Sequence, residues 1–123
     1  MSIGILPCQG ACNVGVMTNK IAISLVDNET IKMVCPLGLP LGIKSIIEMA
    51  QVNGQYLALN GCPVKCASKA LESAGITGFE KMTLTSDFGI QKNKNFKDET
   101  KLNDVETKVK QIIEEMLARK TDV

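Results

Sequence analysis

Cysteine is the residue type with the most chemistry to offer in this sequence, and its five copies are not scattered at random. In Asn60-Gly61-Cys62-Pro63-Val64-Lys65-Cys66 two thiols lie four residues apart, after the apolar run Tyr56-Leu57-Ala58-Leu59 and before a helical pattern. A junction where a strand hands over to a helix suits thiolate chemistry. The first helical turn leaves N–H groups unpaired and carries a partial positive charge, and both favour a thiolate over a thiol. Cys62 is expected as the N-cap, with Pro63 at the first helical position, where its missing N–H loses no partner. Cys66 then falls one turn on, on the same face.

The pattern recurs. The apolar stretch Ile3-Gly4-Ile5-Leu6 ends at Pro7-Cys8 with Cys12 four residues later, and Thr30-Ile31-Lys32-Met33-Val34 ends on Cys35. An odd number of thiols among apolar segments makes a poor disulfide framework, and in a reducing compartment clustered Cys indicates metal or redox chemistry. The chain has no His, so imidazole ligation and His general-base catalysis are excluded. Taken singly, each cysteine reads as a small buried hydrophobe. Five of them confined to three strand–helix junctions point instead to a shared site. The spacing is not the Cys-x-x-Cys knuckle of a zinc ribbon, but four thiolates could hold zinc tetrahedrally at about 2.3 Å, and an iron–sulfur cluster takes the same ligands. A thiol relay is the rival from another class, with Cys62 attacked or persulfidated and Cys66 or Cys8 resolving it. Phosphatase- or rhodanese-type chemistry lacks its anion clamp, because residues 9–15 contain no Arg. A sensor or scaffold with a purely structural metal is the third reading.

Hydrophobic spacing supplies the elements that must position these thiols. Val14, Met17, Ile21 and Leu25, widened by Ala22 and Val26, predict a helix ending at Asp27-Asn28. The loop Pro36-Leu37-Gly38-Leu39-Pro40-Leu41-Gly42 cannot be helical throughout. A helix follows over about Ile43 to Val52 with Ile43, Ile46, Ile47 and Ala50 as its face. The strand Tyr56–Leu59 leads to a helix with Ala67, Ala70, Leu71 and Ala74 inward, stopped by Gly75. Alternation over Lys81 to Ser86 predicts a fourth, edge strand. The lysine-rich stretch from Gly89 to Lys101, with only Ile90 and Phe96 as apolar anchors, reads as a mobile loop. Val105, Val109, Ile112, Ile113, Met116 and Leu117 mark a last helix opened by an Asn103-x-x-Glu106 capping box. Met17, Met49 and Met116 fall at helical core positions, Asp87 reads as a turn residue, and the lysines of residues 92–101, like Lys65 and Lys69, read as solvated surface or a basic rim.

Strands alternating with helices predict a single three-layer α/β domain over residues 1–123, with a mostly parallel four-stranded sheet and crossover helices. In a 2-1-3-4 order the strand ends carrying Cys8, Cys35 and Cys62 are neighbours, about 4.8 Å apart. Ligands of such sheets bind beyond the carboxyl ends of the strands. Net charge is +1, with one Arg and four aromatics, which offers neither a guanidinium cluster nor a stacking surface for nucleic acid. No run approaches the roughly 18 apolar residues of a membrane span, and the N-terminus lacks a signal-peptide layout. The expectation is a cytoplasmic protein whose partner is another protein or a small molecule.

Three pieces of the sequence together resemble the DGC-domain family of zinc-binding proteins, named for an Asp-Gly-Cys motif after a strand. They are Pro7-Cys8-Gln9-Gly10-Ala11 with Asn13-Val14-Gly15, Met33-Val34-Cys35 with its Gly/Leu-rich loop, and Asn60-Gly61-Cys62-Pro63 with Cys66-Ala67. The resemblance implies a zinc site of four chelating cysteines, Cys8, Cys35, Cys62 and Cys66. Cys12 stands where the family pattern commonly has Ser, a fifth thiol close to the site. Asn60 takes the place of the motif's Asp, keeping a hydrogen-bonding side chain and losing its charge. Four thiolates closing the site imply a structural or regulatory role, because catalytic zinc usually keeps an open position.

Overall fold

The computed structural model describes residues 2–120, so residue 1 and residues 121–123 of the expected domain lie outside the described residues. The chain runs β1 (Ile3–Pro7), α1 (Asn13–Leu25), β2 (Ile31–Met33), α2 (Lys44–Gln51), β3 (Gln55–Asn60), α3 (Cys66–Ser73), β4 (Glu80–Thr83), α4 (Leu84–Phe88) and α5 (Leu102–Lys120). All strand pairs are parallel and the order is β2-β1-β3-β4, as the alternation of strands and helices predicts.

The two central strands are apolar on both faces because helices cover both. Ile3, Ile5, Leu57 and Leu59 face Val14, Met17 and Ile21 of α1 and Val105, Val109, Ile113 and Met116 of α5. Leu6 and Ala58 face the other way, against Ala50 of α2 and Ala67, Ala70 and Leu71 of α3. Small residues on α3 let its backbone sit close to the sheet. Burying a Leu- or Ile-sized side chain contributes about 1.5–3 kcal/mol, so these two layers, the first including buried Cys12, supply most of the stabilisation of the fold.

Several local expectations change. β4 stops at Thr83 and the chain turns into α4, where the Asp87 carboxylate accepts a hydrogen bond from the Thr83 N–H at 2.8 Å. The apolar alternation misled because Leu84 is buried from a helix rather than a strand. Asn103 lies inside α5, so no capping box forms, and Glu106 instead accepts from Ser24 Oγ at 3.1 Å and pairs with Lys110. Met17 and Met116 are buried, but Met49 points to solvent at 73% exposure, since α2 sits at the sheet margin and buries only Ala50 fully. The turn from α1 to β2 is tied by Asp27, whose carboxylate accepts from the N–H groups of Glu29, Thr30 and Ile31.

Candidate functional site

The strand order reverses between β1 and β3, and the crevice at their carboxyl ends is where an open parallel sheet offers a binding site. Pro7 stands opposite Leu59, and the Cys8 N–H donates to the Leu59 carbonyl at 3.0 Å, so the pairing carries on into the cysteine loop. Cys8, Cys12, Cys62 and Cys66 line one cavity here, of about 170 Å³. Cys8 and Cys66 also line a second, of about 450 Å³, walled on its far side by Pro36, Leu37 and Pro40. Cys35 is exposed and lines a third, of about 200 Å³, against Ile46 and Met49. Four of the five thiols thus share a cavity, and Cys35 lies outside it, next to the loop that walls the second. Among the described residues no three Cys, Asp or Glu side chains stand close enough together to hold a metal ion between them.

Close backbone packing brings the junctions together. A Cβ on Gly15, in the first turn of α1, would run into the backbone of Gly10, so the Cys8–Cys12 loop folds directly onto the helix. A Cβ on Gly61 would lie 3.0 Å from Val14 Cγ2 and 3.1 Å from the Gly15 nitrogen. Glycine lets the end of β3 approach α1 this closely without displacing either. Thr18 Oγ1 donates to the Gly15 carbonyl at 2.7 Å and lies 3.7 Å from Cys8 Sγ.

Cys62 is not the N-cap of α3. The helix starts at Cys66, and its N-cap is Lys65 in the left-handed conformation, φ 58 and ψ 49. Pro63 serves a turn rather than a helix: its fixed φ suits the second position of a β-turn as well as the first of a helix, and the Lys65 N–H closes that turn onto the Cys62 carbonyl at 3.0 Å. Lys65 makes no side-chain cap. Asn60 does the capping from the end of β3: its Oδ1 accepts from the Ser68 N–H at 3.1 Å, while its Nδ2 donates to Ser68 Oγ at 2.8 Å, all of it buried. The amide thereby fixes the helix carrying Cys66 to the strand leading to Cys62.

The segment from Gly89 to Lys101, expected to be mobile, is pinned beside the thiols. Fully buried Asn13 donates from Nδ2 to the Gln91 carbonyl at 2.9 Å, accepts from the Asn93 N–H at 2.7 Å, and donates its own N–H to the Asn93 carbonyl at 3.0 Å. Asn93 in turn donates to Asp98 at 2.8 Å. Bonds from the Thr100 hydroxyl, from Asn93 and from the Thr100 N–H hold the Asp98 carboxyl below its ordinary range. The result places Lys92 Nζ 3.5 Å from Cys62 Sγ and Lys94 Nζ 3.0 Å from the Ala11 carbonyl. Both line the four-thiol cavity, and no acidic residue does. Polar loops carry no periodicity, so reading the sequence left Lys92 and Lys94 as solvated surface or a basic rim and gave Asn13 no role of its own. The order β1, α1, β3 did carry a hint, since it leaves the N-terminus of α1 to be covered by a later segment.

The donor chemistry fits a thiophilic ion: sulfur alone, no competing carboxylate, and two cations beside it. The model of the DGC domain matches residues 4–114. The anaerobic and virulence modulator AnvM of Pseudomonas aeruginosa is 28% identical over 85 residues, which is 69% of this chain and 64% of that protein, so the match spans less than two thirds of the relative. No solved structure matches the chain significantly. Among the described residues no helix is long and apolar enough to cross a membrane.

Proposed function

The chain belongs to the DGC-domain family, and from that premise we propose that it is a cytoplasmic, zinc-binding regulatory protein whose donors are Cys8, Cys12, Cys62 and Cys66. The observation that carries this reading is the single cavity those four thiols share, free of carboxylates. Bound zinc would supply the positive centre that draws the thiolates together. A regulatory role is favoured over a structural one because most of both hydrophobic layers is built from residues outside the site; of the four thiols Cys12 alone is buried within them. Cys8, Cys62 and Cys66 end or begin elements that are rigid, and the Asn60–Ser68 bonds hold the last two in register. Cys35, which the family resemblance implies as a ligand, competes with Cys12 for the fourth place. It follows β2 on the β1 side, but its thiol opens toward α2.

The test is metal content and thiol count of protein purified without added metal, for the wild type and for Cys12→Ser, Cys35→Ser and Cys62→Ser. One zinc per chain and one fast thiol, the exposed Cys35, are expected. Cys62→Ser and Cys12→Ser should each lower zinc affinity by more than about 100-fold, beyond what loss of a supporting partner costs. Loss in Cys35→Ser with none in Cys12→Ser would restore the ligand set implied by the resemblance. No metal with several fast thiols would sink the metal reading in favour of a thiol relay, and a brown protein would move it to an iron–sulfur cluster.

A further inference from the structure

We infer that Lys92 and Lys94 are part of the metal site, held over it to offset the negative charge of the thiolate-bound ion. This rests on the metal reading above. Four thiolates around a divalent ion leave two net negative charges, and ammonium groups a few ångströms away lower that charge's cost even when they face solvent, as Lys92 and Lys94 do. The two ammonium groups lining the cavity supply the same amount of the opposite sign. Lys92 Nζ already lies against Cys62 Sγ at 3.5 Å, and Lys94 is braced on the Ala11 carbonyl one residue before Cys12. Among the described residues neither lysine has a carboxylate partner, whereas Lys20, Lys44 and Lys110 each do. A lysine that served only solubility would need no anchoring. Here the segment carrying both is fixed by three hydrogen bonds to buried Asn13, a side chain whose donor and acceptor are both spent on holding it.

Zinc affinity measured by competition with a chromophoric chelator on the reduced full chain tests this. The double variant Lys92→Met/Lys94→Met should bind one zinc with roughly tenfold weaker affinity, about 1.4 kcal/mol. Lys92→Arg/Lys94→Arg should keep most of the wild-type affinity, and Lys97→Met, a change in the same segment but outside the cavity, should keep all of it. Salt should erase the difference: between about 0.01 M and 1 M the screening length falls from roughly 30 to 3 Å, and the wild type should converge on the double variant. Unchanged affinity in the double variant, with zinc bound by the wild type, would overturn the role of the lysines alone. Absence of zinc binding by the wild type would overturn the lysines' role together with the metal site.

Discussion

The junctions at the ends of β1 and β3 and the junction at the end of β2 carry the same kind of residue and are built in opposite ways. At β1 and β3 the backbone itself is packed, with Gly15 against Gly10 and Gly61 against Val14; the buried Asn60 amide ties the end of β3 to α3, and the buried Asn13 amide ties the start of α1 to the 89–101 segment. At β2 the strand is three half-buried residues long. Its thiol is exposed, and the loop that follows leaves Leu37 and Leu41 about two-thirds in solvent. A thiol on the first kind of junction is held where the fold puts it; one on the second can be redirected at small cost. That difference is why Cys35, a ligand in the sequence reading, and Cys12, there only a fifth thiol near the site, exchange rank in space.

The sharpest way to break the comparison is one methyl group on each side. Gly15→Ala and Gly38→Ala both push a Cβ into a neighbour, but Gly15 meets the backbone of Gly10 and Gly38 meets the half-buried Ile46 side chain, at its Cδ1 and Cγ2 and, at 3.1 Å, its Cβ. A half-buried side chain can change rotamer, whereas two packed backbones cannot. Gly15→Ala should cost about 3 kcal/mol, at the upper end for overpacking, and Gly38→Ala about 1 kcal/mol or less, since Ala also stiffens the unfolded chain. Urea melts of the two variants decide it, and equal losses would mean that the β1 junction is as yielding as the β2 junction.

The contrast also explains what the sequence allowed to be read. The alternation of strands with helices, four of the five helices and the two apolar layers follow from periodicity, because Ile3, Ile5 and Leu6 or Val105, Val109 and Ile113 declare their faces by spacing alone. The positions of the thiols at strand ends were equally legible. What spacing does not encode is the direction of a loop side chain. The start of α3 shifted from Pro63 to Cys66 because Lys65 adopts a left-handed conformation that nothing in its side chain signals. Asn60, seen in sequence as a lost charge, turns out to use both halves of its amide on Ser68, a role no lone residue type announces.

Asn60 gives the next effect in size. Asn60→Ala leaves the Ser68 N–H and hydroxyl buried without their partner, which should cost about 2 kcal/mol. Because the same bonds hold α3 to β3, the variant should also make half-buried Cys62 label faster in the metal-free protein, while Cys35 and Cys66, both already exposed, label at unchanged rates. Asn60→Asp should recover much of the stability near neutral pH, since a carboxylate can accept from the N–H and the hydroxyl of Ser68 together. Equal acceleration at Cys35 and Cys62 would show that the two junctions are not independently anchored.

The smallest effect comes from acid, and it separates anchors that titrate from anchors that do not. Hydrogen bonds from Thr100 and Asn93 hold the Asp98 carboxyl below its ordinary range, and those from the Ile31, Glu29 and Thr30 N–H groups do the same for Asp27. A carboxyl whose folded value is depressed stabilises the fold fully above its unfolded value, near pH 4, and loses that contribution as pH falls through the folded value. Asn60 and Asn13 have no such dependence. Amide NMR shifts of Thr100 and Ile31 should therefore titrate with midpoints below the usual carboxylate range, while that of Ser68 stays flat. Asp98→Asn should abolish the Thr100 titration and leave that of Ile31 intact. A Ser68 shift moving in step with Thr100 would mean that the lysine-bearing segment and the β3–α3 junction loosen as one unit, and the division between rigid and yielding parts of the site would have to be redrawn to include the segment that carries Lys92.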